Sequence, residues 1–253
     1  MRRFDPRIIL GILLIAGGGL ALAQTVGLLE NASDIFWGGA FLAAGLAFLS
    51  LLFGGHWWAS FPGFTLVALG ALILLPDSLD QFGGALFLGG IGLSFWYVYF
   101  TRREQHWWAL IPAGVLTALA VMIVVAERFE EFGGAIFLGG IGLSFFAVYL
   151  TNRIERWWAL IPGGVLVTLA GVTIAAERFG EFQTAGFFFL GLSATFLLVA
   201  LLAGMGWAYW PALVLGIMGF LGILSLLDVG NYIWAVILIG AGLFMLARYF
   251  TRR

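Results

Sequence analysis

The chain has 253 residues, of which 62% are hydrophobic and only 10% carry a charge. A soluble domain carries about 25% charged residues, and no globular interior of this size hides so much apolar surface, so much of the chain must face lipid. The net charge of −1 argues against a nucleic-acid partner, and the absence of cysteine excludes disulfides, thiolate metal sites and thiol catalysis.

The chain begins with an apolar stretch that can be interpreted in two ways. It follows Arg2 and Arg3 and matches the first half of the repeat described below, which predicts a first transmembrane helix. The basic start and Ala21-Leu22-Ala23 also have the outline of a secretory signal with its cleavage site. Residues 1–23 are therefore predicted as the start of the first helix, with a cleaved signal as the alternative.

A unit of about 50 residues recurs along the chain. His56-Trp57-Trp58 returns as His106-Trp107-Trp108 and again as Arg156-Trp157-Trp158, at steps of 50 residues, and residues 56–105 and 106–155 share 26 identical positions. Self-similarity at a fixed period is typical of stacked supersecondary units. The prediction is a single transmembrane domain, 1–253, built from five tandem repeats at about 1–55, 56–105, 106–155, 156–205 and 206–253.

Each repeat contains two apolar runs joined by a short link. In the clearest copy both runs have 20 residues, which at 1.5 Å per residue is about 30 Å, the thickness of the hydrocarbon layer. Links of about five residues allow only antiparallel neighbours. The predicted fold is an all-α, polytopic membrane protein of about ten helices in five hairpins, arranged as a bundle or as a solenoid. The spans are 8–26, 35–53, 58–75, 82–101, 108–126, 132–151, 158–176, 183–203, 208–226 and 231–249.

The distribution of charge predicts an orientation. With ten helices, ten of the 12 arginines fall on the side of the termini and the tryptophan pairs, and the net charges of the two sides are +7 and −8. Cytoplasmic loops of membrane proteins are rich in basic residues. Both termini are therefore predicted in the cytoplasm, and the protein in the inner membrane of a prokaryotic cell.

The tryptophan pairs Trp57-Trp58, Trp107-Trp108 and Trp157-Trp158 stand at predicted helix ends. Amphipathic aromatic rings sit at headgroup depth, so these residues are predicted as interfacial anchors, with a stacking platform for a ligand as the alternative. A proline follows each pair by four residues. It is predicted in a first helical turn, where a missing N–H costs little.

His56 and His106 are the two histidines of the chain and occupy equivalent repeat positions. Imidazole ligates metals and the central metals of pigments, so both are candidate cofactor ligands. The third copy carries Arg156 instead. Exchange between histidine and arginine favours a cation that faces the lipid headgroups, and no cofactor and no metal are predicted.

Small residues recur at helical spacing in the second span of two repeats. They are Ala85, Gly89, Gly90 and Ser94 in one copy and Ala135, Gly139, Gly140 and Ser144 in the next. Small side chains let helix backbones approach closely, so these eight positions are predicted to pack helices together, within the chain or against a partner. The glycines lie inside apolar helices and follow no strand, which argues against a phosphate-binding loop.

The cores of the predicted spans contain no charged residue and no histidine. Proton relays, ion pathways and membrane proteases use such residues, so an enzyme or an ion-coupled transporter is not predicted. Hydroxyls such as those of Ser94, Thr117 and Ser144 are expected to bond their own helix. The acidic links at 127–131 and 177–181 are predicted as charged turns, with a divalent-cation site as the alternative.

The module from Trp107 to Leu116, and its twin from Trp157 to Leu166, lead from an aromatic pair into a helix rich in leucine, proline and glycine. This module resembles the helical hairpins of bacterial and archaeal membrane proteins of unassigned function, and loosely the membrane-spanning region of LiaF-type envelope-stress proteins. The resemblance implies a membrane module and transfers no catalytic residue. The soluble C-terminal domain of such regulators has no counterpart in this sequence, so regulation by that route is not expected.

Three functions fit these features. The first is a non-catalytic membrane scaffold or accessory subunit that packs against lipids, other membrane helices or further copies of itself. The second is a carrier or channel for apolar or lipid-like molecules, which predicts a continuous cavity or a lateral groove. The third is a pigment- or cofactor-binding protein that uses His56 and His106. A unique site is expected where the copies disagree, around 184–210 and in the first hairpin.

Overall fold

The computed structural model describes residues 32–125, 128–176 and 181–224, together with 15, 17–19, 21–23, 25–27, 238–240, 242 and 245. This part of the chain is helical and contains no strand, so the all-α prediction is confirmed for it. Its long helices are α1 (Ala32–Ser50), α2 (Ser60–Ile73), α3 (Gly83–Thr101), α4 (Leu110–Val125), α5 (Gly133–Thr151), α6 (Leu160–Ala176), α7 (Glu181–Leu202) and α8 (Tyr209–Leu224). The predicted spans 8–26 and 231–249 lie largely outside the described residues.

Seven helical segments among the described residues are long and apolar enough to cross a bilayer. They have 19 to 25 residues, or about 28–38 Å at 1.5 Å per residue, against a hydrocarbon layer of about 30 Å. An eighth segment, Trp57–Ile73, is apolar but shorter. These helical, apolar segments indicate an integral membrane protein.

Each tryptophan pair forms a 3₁₀ turn that leads into the next helix. The turns are Trp57–Ala59, Trp107–Ala109 and Trp157–Ala159, and Gly206–Ala208 is a fourth. The alanine that closes each turn is fully buried. The proline that follows is the third residue of its helix in α2, α4 and α6, which confirms the predicted first-turn position. An N–H is not needed there because the first N–H groups of a helix have no intrahelical acceptor.

Residues 1–127 form one compact unit, here called unit one, in which α1 to α4 pack in chain order. The first two helices are antiparallel, since Gly38 lies against Gly70 whereas Leu49 lies against Gly63. The chain reverses between them at Gly55, whose φ of 81° is left-handed. Glycine adopts that conformation without steric cost.

Helix α3 lies between α2 and α4 and contacts each of them through small residues. A Cβ added at Gly90 would overlap the Cβ of Ala68 on α2. On the opposite side, a Cβ added at Gly92 would lie 3.3 Å from the Cβ of Leu116 on α4. The glycines therefore allow the α3 backbone to approach both neighbours closely.

Residues 128–253 form the second compact unit, unit two, in which α5 to α8 also pack in chain order. A Cβ added at Gly142 on α5 would lie 3.0 Å from the carbonyl oxygen of Gly163 on α6. A Cβ added at Gly219 on α8 would lie 2.7 Å from the backbone nitrogen of Leu190 on α7. Close approach through glycine thus holds unit two together as it does unit one.

Candidate functional site

The tryptophans of the repeated pairs lie at helix starts, with the second ring of each pair exposed. That ring also contacts an aromatic side chain of the preceding helix. Trp108 meets Phe95 edge to face with ring centroids 6.3 Å apart, and Trp158 meets Phe145 at the same distance. Such geometry is the favoured one for aromatic pairs. Each second tryptophan therefore joins two successive helices as well as presenting its ring outward.

The side chain of His106 caps the end of α3. Its Nδ1–H donates to the carbonyl oxygen of Val98 over 3.1 Å. That carbonyl is one of the last four of the helix, which have no intrahelical partner. The imidazole also lies against the ring of Trp57, with centroids 4.9 Å apart. Because a carbonyl only accepts, the proton of a neutral imidazole resides on Nδ1 here.

The equivalent residues of the other copies also bond near the end of the preceding helix, each to a different kind of acceptor. His56 places Nδ1 3.3 Å from the carbonyl oxygen of Leu51, and the guanidinium of Arg156 donates to the hydroxyl of Thr151, the last residue of α5. Arg156 is only 8% exposed, so its side chain is turned into the protein. The expectation that this position serves a cation facing the headgroups is therefore wrong for Arg156; the shared property of histidine and arginine is a donor for a helix end.

Among the described residues, no three histidine, aspartate or glutamate side chains come together. The candidate ligands His56 and His106 each use Nδ1 on a backbone carbonyl. Each ring retains Nε2, the atom that could bind a cofactor metal.

The eight predicted packing residues lie on α3 and α5. The four that are not glycine, Ala85, Ser94, Ala135 and Ser144, are buried. A Cβ added at Gly89 would lie 3.8 Å from the Cβ of Ala120, and one added at Gly139 would lie 3.7 Å from that of Ala170, so these two glycines leave room for a methyl group. The hydroxyl of Ser144 donates to the carbonyl oxygen of Gly140 over 2.9 Å, as expected for a serine in an apolar helix.

Unit one carries an open apolar groove between α2, α3 and α4, with a volume of about 830 Å³. Part of its lining consists of small residues, which are Ala68, Ala71, Ala85, Gly89, Gly90 and Ala120. Its larger lining side chains include Leu86, Leu93, Val121 and Val124, all of which are exposed. Sites for small molecules have volumes of about 300–1,000 Å³. The volume of this lateral groove falls within that range.

A hydrogen bond between two helices lies at one end of the groove. Trp96 donates from Nε1 to the hydroxyl oxygen of Thr117 over 3.0 Å, and that hydroxyl donates to the carbonyl oxygen of Ala113 over 2.7 Å. The next repeat has Phe146 and Val167 at the equivalent positions. Sequence analysis did not predict this pair. Its signal in the sequence is that Trp96 and Thr117 are both replaced by apolar residues in the next repeat.

Thr117→Val is expected to lower the free energy of unfolding by about 1–2 kcal/mol, because it leaves the Trp96 N–H without its acceptor. Adding Trp96→Phe, which reproduces the residues of the next copy, should recover part of that loss. A double-mutant cycle of thermal unfolding in detergent measures the coupling separately from the packing that Trp96→Phe removes. Strictly additive effects would contradict the interhelical hydrogen bond.

Unit two contains the described part of the region where the copies diverge. There Ser193 donates across to the carbonyl oxygen of Ala212 on α8 over 2.6 Å, whereas Ser94 bonds its own helix. A hollow of about 460 Å³ lies beside this bond and is lined by apolar residues with Tyr209. A smaller hollow of about 310 Å³ lies between α6 and α7 next to Thr168. The divergent region thus adds an interhelical hydrogen bond and two apolar hollows.

The second acidic link falls largely outside the described residues, since 177–180 are not among them, whereas 128–131 of the first link are described and Glu130–Phe132 forms a 3₁₀ turn. The charged-turn interpretation and its cation-binding alternative both stay predictions.

Comparisons with known proteins identify no relative of this chain. No protein-family model matches it. No curated protein and no solved structure matches it either. Its function is therefore inferred from the helices, the groove and the side chains described above.

Proposed function

We propose that this integral membrane protein is a non-catalytic scaffold or accessory subunit, whose outer surface packs against lipids and other membrane helices. The proposal rests on the side chains that point away from the described helices. Leu93, Leu143, Leu201 and Phe220, on four different helices, are 55% to 65% exposed. Such a surface is stable only against lipid tails or other apolar helices.

The hydroxyl groups of the spans support the proposal because they are used inside the protein. Ser94 donates to the carbonyl oxygen of Ile91 over 2.6 Å, and Thr195 donates to that of Gly191 over 2.9 Å. A hydroxyl bonded to its own helix presents no donor to the bilayer. Both residues are buried, so neither adds a polar group to the outward faces.

The proposed scaffold has ten transmembrane helices in five hairpin repeats, with both termini in the cytoplasm of a prokaryotic cell. Its support is the arginine bias of the links and the 50-residue period. The packing of the described helices in chain order within each unit agrees with repeated hairpins.

Single cysteines on either side of α3 test this orientation. The protein has no cysteine, so each variant carries one thiol. Both Gln81 and Glu104 are exposed, beyond opposite ends of α3. In intact cells a membrane-impermeant maleimide is expected to label Gln81→Cys and to spare Glu104→Cys, which should react once the cells are permeabilised. Reversed labelling would contradict the orientation, and labelling of both in intact cells would contradict a membrane-spanning α3.

The scaffold role predicts that the full chain leaves the membrane in a stoichiometric complex. Native mass spectrometry after extraction in a mild detergent should show another membrane protein or further copies of this chain. Alanine variants would locate the contact with the partner. Loss of the complex in Leu201→Ala or Phe220→Ala would place the contact on unit two, and loss in Leu93→Ala would place it on unit one. A chain that emerges only as a monomer from several mild detergents would refute the scaffold role.

A second candidate function, a carrier for apolar or lipid-like molecules, is favoured by the lateral groove of unit one. Its walls carry no charged residue, as expected for an apolar cargo. Vesicles that contain the protein should exchange a fluorescent phospholipid between leaflets faster than protein-free vesicles do. Equal rates would exclude the carrier role and leave the groove as a static contact with lipid.

A further inference from the structure

The hairpin formed by α7 and α8 in unit two can be aligned with the one formed by α3 and α4 in unit one. Phe196 meets Trp207 edge to face with ring centroids 6.1 Å apart, as Phe95 meets Trp108 at 6.3 Å. In both hairpins the residue after the tryptophan is a fully buried alanine. These matching contacts place α7 101 residues after α3 and α8 99 residues after α4, so the two hairpins can be compared position by position.

In unit one, a hydroxyl group between the two helices binds an indole ring. Trp96 donates from Nε1 to the hydroxyl oxygen of Thr117 over 3.0 Å, and that hydroxyl donates to the carbonyl oxygen of Ala113 over 2.7 Å. Indole has a single donor and no acceptor. The polar group of the Trp96 ring is therefore satisfied within the hairpin.

In unit two, a hydroxyl group occupies the corresponding place but comes from the other helix. Ser193 on α7 donates to the carbonyl oxygen of Ala212 over 2.6 Å, and Ala212 corresponds to Ala113. The Oγ of Ser193 also lies 2.9 Å from the Cβ that a side chain at Gly216 would carry, and Gly216 corresponds to Thr117. Both hairpins thus place a hydroxyl oxygen on the same carbonyl group.

The ring that this hydroxyl binds in unit one has no counterpart in unit two. Leu197 stands in place of Trp96 and has no N–H, and Gly216 has no side chain. Leu197, Gly216 and Ser193 all line the hollow beside α8. A serine oxygen has two lone pairs, so Ser193 can accept a hydrogen bond while it donates to Ala212. The hollow therefore combines the missing ring of the unit-one hairpin with an acceptor for its N–H.

From this correspondence we propose that the hollow between α7 and α8 binds a lipid-soluble aromatic molecule with a ring N–H, the indole class. The ring packs against Leu197 and Gly216, and its N–H donates to the Oγ of Ser193 as that of Trp96 does to Thr117. The described residues that line the hollow carry no charge, which favours an uncharged ring. The site goes beyond the scaffold function and does not depend on it.

Binding of 5-fluoroindole to the purified full chain in detergent, measured by ¹⁹F NMR, tests the proposal. The comparison ring is 5-fluoro-1-methylindole, which lacks the donor. The wild type is expected to show saturable binding and to prefer 5-fluoroindole about fivefold, the effect of one hydrogen bond. Ser193→Ala should remove this preference. No saturable binding, equal binding of the two rings, or a preference that survives in Ser193→Ala would overturn the proposal.

Leu197→Trp tests the location of the site. The new side chain supplies the ring from the protein itself, so it should abolish binding of 5-fluoroindole and raise the thermal midpoint. The matched control is Phe146→Trp, at the equivalent position of α5, where Val167 offers no hydroxyl. It should bind 5-fluoroindole as the wild type does, without a higher midpoint. Binding that is unchanged in Leu197→Trp would overturn the site.

Trp96→Leu tests the same recognition in unit one. It removes the ring and leaves the hydroxyl of Thr117 in place, so a second equivalent of 5-fluoroindole should bind with the same preference over the methylated ring. This variant decides the role of the hydroxyl even where Ser193→Ala is too unstable to measure. A single equivalent in Trp96→Leu would overturn the correspondence between the hairpins. A chain that leaves the membrane with a partner but binds no 5-fluoroindole refutes this site and not the scaffold function.

Discussion

Gly70→Ala is expected to lower the free energy of unfolding by about 1–3 kcal/mol, the usual cost of overpacking a core. The added Cβ would lie 2.7 Å from the carbonyl oxygen of Gly38 and 2.8 Å from the backbone nitrogen of Leu42. Both are backbone atoms of α1 and cannot rotate away as a side chain does. The two helices must therefore separate, and the contacts along their whole length weaken.

Gly89→Ala is the matched control for Gly70→Ala. Both change a helical glycine to alanine and gain about 1 kcal/mol of helix propensity, but the Cβ at Gly89 would be 3.8 Å from that of Ala120, an ordinary contact. Its thermal midpoint should equal or exceed that of the wild type. The midpoints are compared by tryptophan fluorescence in one detergent; equal midpoints for the two variants would contradict the close approach of α1 and α2.

Arg156→Leu is expected to lower the free energy of unfolding by about 1–3 kcal/mol, because it removes a buried donor that bonds the end of α5. The guanidinium donates to the hydroxyl of Thr151, and the side chain is almost fully enclosed. Arg156→His should preserve most of the stability. The equivalent His106 places a Nδ1–H donor on a carbonyl in the last turn of its own preceding helix.

The reciprocal exchange at His106 completes this test. His106→Arg should be tolerated, and His106→Leu should lower the thermal midpoint, since the carbonyl oxygen of the buried Val98 loses its donor. The four variants are measured by thermal unfolding under identical conditions. If Arg156→His is as damaging as Arg156→Leu, helix capping is not what the copies share at this position.

The helix boundaries were predictable because they depend on local properties of the chain. The predicted span 158–176 corresponds to the helical segment Trp157–Ala176, and 208–226 corresponds to Gly206–Leu224. An apolar run that must cross about 30 Å of hydrocarbon needs about 20 residues and ends where polar groups reach water. The proline after each tryptophan pair adds a second local signal, since it is well tolerated in the first turn.

The candidate sites were less predictable because each depends on residues from different helices. Sequence analysis placed Thr117 within the bilayer and expected its bond to a carbonyl of its own helix, which the structure has. It did not find the donor Trp96, which lies 21 residues earlier on a neighbouring helix. It also did not find that His106 bonds a carbonyl in the last turn of the preceding helix.

The sequence by itself determined that the chain is helical, apolar and repetitive, and that small residues join its helices. Those properties follow from composition and from spacing along one chain. Only the tertiary structure decided which neighbour each small residue meets: Gly90 faces α2 and Gly92 faces α4. Residues two positions apart point about 200° apart around a helix, so the partner on each side depends on how the helices are arranged. The groove between these helices has the same origin, since its walls come from three segments that are separate in sequence.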